Sequence, residues 1–455
     1  MARNVKIKRF LYLNFRYFYS FEFWVRRHFT PAGQLVLGAA GLSAALGVDT
    51  TMTVIYQFFT LLVSVLFVSL VVSVFYKLPF GAERKLPRFG TAHTQVTYSV
   101  VIYNFASKEQ KGLELIEDFA DPRPSFEEFL NNPEPYEKER NIFDRYVKFH
   151  RWLWLVAQKR GAFIADHSLP PLPPMTHEEV KIEFTPLRRG RLFFSGITLA
   201  RRDPFGLFRS FATFPLHQSL LILPKRYALP QIRLSGRRKY QHGGVTLASS
   251  VGDSEEFIAL RDYHPGDPLR YIHWRSTAKK GFPVVKEHQE EFFVRHALLL
   301  DTFLNKGNSY VFEEAVSVAA SFISSVQSDE TLLDLMFIGT EVFCFTSGRG
   351  VGHTDRALEI LAEVIPCHNR HFSDLHNTVM NRISSLSSCI CILLSWDDER
   401  KKFISQLKTF GLPVLVMVIT DDKSADDYEP GPLMNSPGNF HILEAGSIEE
   451  GLAKL

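Results

Sequence analysis

The sequence predicts an α+β protein of several domains: an N-terminal transmembrane helical hairpin, a β-sandwich-like middle region and a C-terminal doubly wound α/β domain. Three observations carry this reading. Two uncharged apolar runs lie near the N-terminus. Short β-branched and aromatic runs separated by Gly and Pro fill the middle. Apolar runs then alternate with amphipathic helical patterns over the last third. At 455 residues the chain exceeds one average domain. With 52 basic and 49 acidic side chains its net charge is only +3, so no nucleic-acid partner is expected.

Residues 1–30 form a basic, aromatic segment in which Lys6, Arg9 and Arg16 mix with Phe10, Tyr12, Phe15 and Trp24. That composition suits a cytoplasmic segment lying on the lipid bilayer. Residues 31–76 hold the two expected transmembrane helices. The second run, residues 52–76, is uncharged and long enough to span; the first, rich in Gly and Ala, reaches that length if residues 31–48 are counted. Arg26 and Arg27 precede the pair and Lys77, Arg84 and Lys85 follow it. Basic flanks at both ends place both termini and the large soluble region in the cytoplasm, giving a multi-pass cell-membrane protein.

Residues 77–224 form the β-sandwich-like domain, with strands expected at 95–104, 113–117, 181–186, 190–200 and 219–223. A helical insertion occupies about 136–170. Within it, residues 141–158 read as one helix with an apolar stripe of Ile142, Tyr146, Phe149, Leu153 and Val156. That helix either rests on the anionic inner leaflet or packs across the sandwich. Two turns stand out: Arg189–Gly190, and Asp203, Pro204 and Gly206 in RRDPFGLF. Turn geometry explains the second better than a phosphate patch does, because Asp203 can accept bonds from the backbone that follows it.

Residues 225–292 form a connecting segment dense in Gly-Asp turns, paired charges and aromatics. Arg261, Asp262, Asp267, Arg270, His273, Trp274 and Arg275 are its candidate functional residues. Two readings stay open. Arg261, Asp267, Arg270 and Arg275 pair with one another and with Asp253, Glu255 and Glu256 as an interdomain lock, or they present an exposed docking patch.

Residues 293–455 read as the α/β domain. Ligands in such folds sit at the carboxyl ends of strands, where Asp301 and Asp397 fall, and Thr354 lies in a loop before a helix. Carboxylates and a hydroxyl suit an oxygen-ligand Mg2+ site; helix capping by Asp301 and Thr354 is the alternative. The four cysteines, all in this region, read as buried thiols rather than a zinc or disulfide site. No GxSxG, GxxxxGK[ST] or HExxH motif is present.

Residues 186–210, with RRG then RDPFGLF, and 252–286, with LRDYHPGD then IHWRSTAKKG, resemble the signature stretches of the domain-of-unknown-function 58 family. The resemblance runs over nearly the whole chain. It implies two N-terminal membrane helices, a β-rich cytoplasmic region and a C-terminal domain of von Willebrand factor type A kind. It also implies a bacterial inner-membrane adaptor or scaffold, not an enzyme. Such an adaptor acts with a MoxR-type AAA+ ATPase and other membrane proteins in complex assembly or envelope stress. A Mg2+-dependent hydrolase and a purely structural membrane protein are the alternatives. Where the type A domain's metal motif has Asp-x-Ser-x-Ser, this chain has Asp301, Thr302, Phe303, Leu304 and Asn305. The resemblance places the remaining metal residues at Thr354 and Asp397.

Overall fold

The computed structural model describes the chain except for residues 1, 47–52, 76–77, 135–136, 138–139, 231–256, 268, 270–271, 289–293, 305–308, 326–330, 340, 348–350 and 422–427. It divides into two compact units. One is Met1–Lys225 with Asn305–Ser309 and Glu359–Val364; the other is Arg226–Leu304, Tyr310–Leu358 and Ile365–Leu455.

The first unit opens with three helices: α1 (Ala2–His28), α2 (Pro31–Leu46) and α3 (Thr53–Val74). Within α3, Val54–Ser73 is long and apolar enough to cross a membrane, and only 6% of it is buried inside the protein, so it is not a core helix. At 16 residues α2 is a shorter apolar helix below spanning length. The expected pair of full-length spans is therefore seen as one long and one short apolar helix. They pack on each other, and α2 buries Gly33, Ala40 and Ser43.

Two sheets follow. One runs β1 (Phe80–Lys85), β3 (Val96–Asn104), β7 (His177–Pro186), β5 (Ala162–Phe163). The other runs β2 (Phe89–Thr91), β9 (Arg209–Leu223), β8 (Gly190–Arg202), β4 (Leu113–Phe119), β6 (His167–Ser168). Tyr98, Val100, Ile102, Ile182 and Phe184 of the first meet Leu115, Leu192, Phe194, Ile197 and Leu220 of the second in one core. Strand β9 begins ten residues before the sequence suggested, because the 203–206 turn folds it straight back on β8.

The insertion holds α4 (Phe126–Asn131), α5 (Ile142–Val147) and α6 (Phe149–Lys159). Ser125 and Glu128 close a capping box on α4. The single helix expected over 141–158 is broken at Lys148, whose φ of 60° ends α5 and starts α6. The break resets the helical phase. Trp152, Leu155 and Val156 are buried with Phe129 and with Tyr12 of α1, while Ile142, Phe143 and Tyr146 are left exposed.

The second unit begins with an antiparallel pair, β10 (Phe257–Asp262) and β11 (Val284–His288), joined through α7 (Trp274–Lys280). Its sheet is ordered β14 (Val342–Ser347), β13 (Thr331–Ile338), β12 (Val294–Leu300), β15 (Ser388–Leu393), β16 (Val414–Thr420), β17 (Phe440–Glu444). All neighbours are parallel except the β13–β14 edge pair. The helices are α8 (Ser309–Ser325), α9 (Val351–Glu363), α10 (Phe372–Met380), α11 (Asp398–Thr409) and α12 (Ile448–Leu452). Ala297 and Leu299 join the core with Phe372 of α10 and Phe403 of α11; the alternating Leu298 and Leu300 are equally buried, so both faces of β12 are covered. This mixed sheet with helices is consistent with an α/β fold. The α10 helix went unread in the sequence. All four cysteines are free thiols, and Cys389 and Cys391 place their sulfurs 3.5 Å apart on one face of β15.

Candidate functional site

The chain runs outward from β12 in both directions: β13 and β14 lie to one side, β15, β16 and β17 to the other. The switch in direction leaves a crevice at the carboxyl ends of β12 and β15, where open α/β sheets take ligands. Asp301 follows β12 and Asp397 follows β15, so the topology brings these two acids to that crevice.

Their surroundings differ from an open oxygen cluster. Arg400, only 2% exposed on the first turn of α11, bridges them. Its Nε donates to Asp301 Oδ2 at 2.7 Å and its Nη1 to Asp397 Oδ2 at 2.5 Å. Each acid accepts two further hydrogen bonds. Asp301 accepts the backbone N–H of Phe303 at 3.0 Å and of Leu394 at 3.1 Å. Asp397 caps α11 by accepting the Arg400 N–H at 3.0 Å, and Ser395 Oγ donates to it at 3.2 Å. Burial would lower the Arg400 pKa, but Asp301 and then Asp397 outweigh it and hold the guanidinium above its ordinary value. Phe303 is buried edge-on to Phe372, which also lies 4.6 Å beneath the guanidinium carbon.

Thr354 lies inside the first turns of α9, not in the expected loop, and is not among the hydrogen-bond partners of either acid. Asn305 falls outside the described residues. Among the described residues no group of three or more His, Cys, Asp or Glu side chains is arranged to hold a metal. The donor set does not fit Mg2+. The acids already share the Arg400 guanidinium, and the buried Asp301 spends both of its oxygens on that guanidinium and on backbone N–H groups. Arg400 was missed in the sequence. Its spacing of three from Asp397 on a helix start was the available signal.

The connecting segment supplies the second candidate. Arg261 on β10 grips Asp267 with both guanidinium nitrogens, Nη1 at 2.7 Å and Nη2 at 2.8 Å. Asp267 also accepts the His264 N–H at 2.9 Å, closing the HPGD turn in which Gly266 has φ +112°. Arg261 first, then the His264 N–H, hold the Asp267 pKa down at about 2. His273 precedes α7, its Nδ1 2.7 Å from Ser276 Oγ and its backbone N–H bonded to Val284 O. Thr277 Oγ1 accepts the Val284 N–H at 3.1 Å, tying α7 to β11, and Gly281 ends the helix at φ +77°. Asp262 lies 3.8 Å from Lys280.

The Arg261–Asp267 pair is thus local, within one turn. Arg270 lies outside the described residues, as do Asp253, Glu255 and Glu256. On this braced frame Leu269 is 67% and Trp274 70% exposed, with Phe282, Arg275, Lys279 and Lys280 also exposed.

A third feature surrounds Asp203. Its carboxylate accepts backbone N–H groups from Phe205, Leu207 and Phe208 and the hydroxyl of Ser69 on α3, at 2.7–3.1 Å. Burial would raise its pKa, but these four donors outweigh it and lower it. Gly206 follows at φ +68°. Thr30 Oγ1 donates to Gly206 O at 2.6 Å, and a Cβ on Gly33 would meet Leu207 O at 2.0 Å. The turn is therefore built onto the start of α2 and the end of α3 as well as onto itself. Gly190 opens β8 at φ +106°, just after Arg189.

Residues 259–390 match the family model described as "Protein of unknown function DUF58", which covers less than half of the chain and leaves out residues 186–210. A curated relative, "Uncharacterized protein YeaD" of Bacillus subtilis (strain 168), is 28% identical over 182 residues; the match covers 40% of this chain and 44% of the relative's length. Among solved structures, manganese-loaded TRAP protein of Plasmodium vivax is 13% identical over 36% of this chain and 71% of its own, with a TM-score of 0.27. A CARDB domain from Pyrococcus furiosus is 10% identical over 32% of this chain and 94% of its own, with a TM-score of 0.17. Scores this low carry no fold assignment. The braced segment after β10 and Asp301 lie in the region 259–390, which is the part of the chain similar to the DUF58 family, whereas Asp397 and Arg400 lie beyond it.

Proposed function

We propose that this protein is a membrane-anchored cytoplasmic adaptor or scaffold that presents the 262–282 patch to a partner protein. The observation that carries the reading is the patch itself. A large indole and a leucine stand in solvent beside the Arg261–Asp267 pair and the α7–β11 tie. Solvent-facing Trp on a preorganised frame, ringed by Arg and Lys, has the make-up of an interface anchor. The basic rim calls for a partner with an acidic face. The family resemblance suggests a MoxR-type AAA+ ATPase. The Arg400 bridge supports binding over hydrolysis, because it engages the two acids a Mg2+-dependent hydrolase would need.

Anchoring is proposed through α2 and α3 as a hairpin with both ends cytoplasmic, supported by the flanking basic residues. The α1 helix supports it too. Tyr12, Phe15 and Tyr19 face the insertion, while Phe10, Tyr17, Phe18 and Phe21 are left exposed on the remaining surface, as a helix lying in a lipid headgroup layer would be. In this reading the α/β domain is of the von Willebrand factor type A kind.

A photo-crosslinking amino acid at position 269 of the full-length chain, activated in intact membranes, tests the partner. An AAA+ ATPase identified in the crosslinked band supports the reading. Crosslinks that never include one overturn the ATPase partnership.

A further inference from the structure

We infer that the Arg400 guanidinium is a built-in replacement for a divalent cation at the β12–β15 switch point, so that the α/β domain works without metal there. Brought together and partly buried, Asp301 and Asp397 need a positive charge between them. A bound cation is one solution; a side chain anchored in the fold is another. Here the charge comes from α11, and three features make it permanent.

The first is geometry. Nε and Nη1 each meet a different carboxylate, at 2.7 and 2.5 Å, so one planar fork spans both acids as a metal ion would. The second is that guanidinium does not deprotonate in proteins, so the charge persists at any physiological pH. The third is the ring below. Phe372 stacks on the guanidinium, and the buried Nη2, which has no oxygen partner, has that aromatic face beside it. The same Phe372 packs edge-on against the buried Phe303, so the ring that supports the arginine is itself held in place by the core. The substitution of cation by arginine is therefore matched by its neighbours.

Manganese titration of the detergent-solubilised full-length chain, read by the loss of free Mn2+ in electron paramagnetic resonance, tests this. Wild type, Asp301→Asn, Arg400→Ser and the Arg400→Ser/Asp301→Asn double variant are compared. The inference expects Mn2+ binding by wild type to be unchanged by Asp301→Asn. It expects Arg400→Ser to gain a stoichiometric site at least tenfold tighter than any in wild type, and the double variant to lose it. A wild-type site abolished by Asp301→Asn would overturn the inference. A folded Arg400→Ser chain that gains no site would overturn it equally, because the acids would then not form a cation position. Should Arg400→Ser fail to fold, Arg400→Gln, which keeps the length of the side chain, takes its place. The result does not depend on the identity of the partner protein.

Discussion

Arg84 lies between the two β sheets and Arg400 at the carboxyl ends of the central strands of the α/β sheet, and both are buried against carboxylates. Arg84 uses all five of its N–H groups. Two go to Glu117 and the others to Leu216 O, Gln218 and Gly196 O, with the Phe194 ring 4.5 Å from its centre. Glu117 is sealed in with it, its pKa raised by burial despite the arginine. Arg400 is just as buried, yet one of its acids, Asp397, is 41% exposed at the mouth of a crevice. The first pair is enclosed on every side and serves the core. The second closes a position where sheets of this type take ligands. Similar chemistry therefore has different consequences, set by where the topology puts it.

The comparison can be broken most severely at Arg84. Arg84→Ala leaves Glu117 buried and unpaired and should cost about 4–5 kcal/mol, read as a fall in urea midpoint. Arg400→Ala should cost less, about 3 kcal/mol, since Asp397 reaches water and is relieved of part of its charge penalty. Equal losses at the two sites would remove the distinction drawn between them.

Acid should separate the two regions further. His296 on β12 is buried with its Nδ1 2.5 Å from Ser388 Oγ, and burial depresses its pKa to about 4 from 6.5. The unfolded chain thus binds the proton more readily between pH 6.5 and 4. Stability of the α/β unit is full above pH 6.5 and falls by about 3 kcal/mol on going down to pH 4. His296→Gln should flatten that slope, measured by urea denaturation across the pH range. The smallest stability effect belongs to Trp274→Ala, within about 0.5 kcal/mol, because the side chain is exposed. Its partner binding should nevertheless fall more than tenfold, as interface anchors do.

Much of the architecture was legible in the residues. The apolar run ending in Asp301, the PVLVMVI run and the helical stripe from Phe312 to Phe322 each carry one dominant period, and each forms the element it suggests. So does the Asp203 turn, whose chemistry is local. Reading failed where tertiary context decides. Lys148 gives no local hint of its left-handed conformation, so a continuous stripe was read through a break. Short β1 and β2 lack enough residues to display a period. At the crevice, Asp301 and Asp397 were found because strand ends are readable. Arg400 was not, because its role depends on meeting an acid 99 residues away.

Closure of the crevice by arginine would leave partner binding to the exposed segment. Its most direct test is affinity capture of the full-length protein from its own membranes in mild detergent, wild type beside Trp274→Ala, with Mg2+ present or chelated. An AAA+ ATPase should be recovered with wild type at the same level in both buffers, and lost with Trp274→Ala. Loss on chelation, or full recovery with Trp274→Ala, would contradict it.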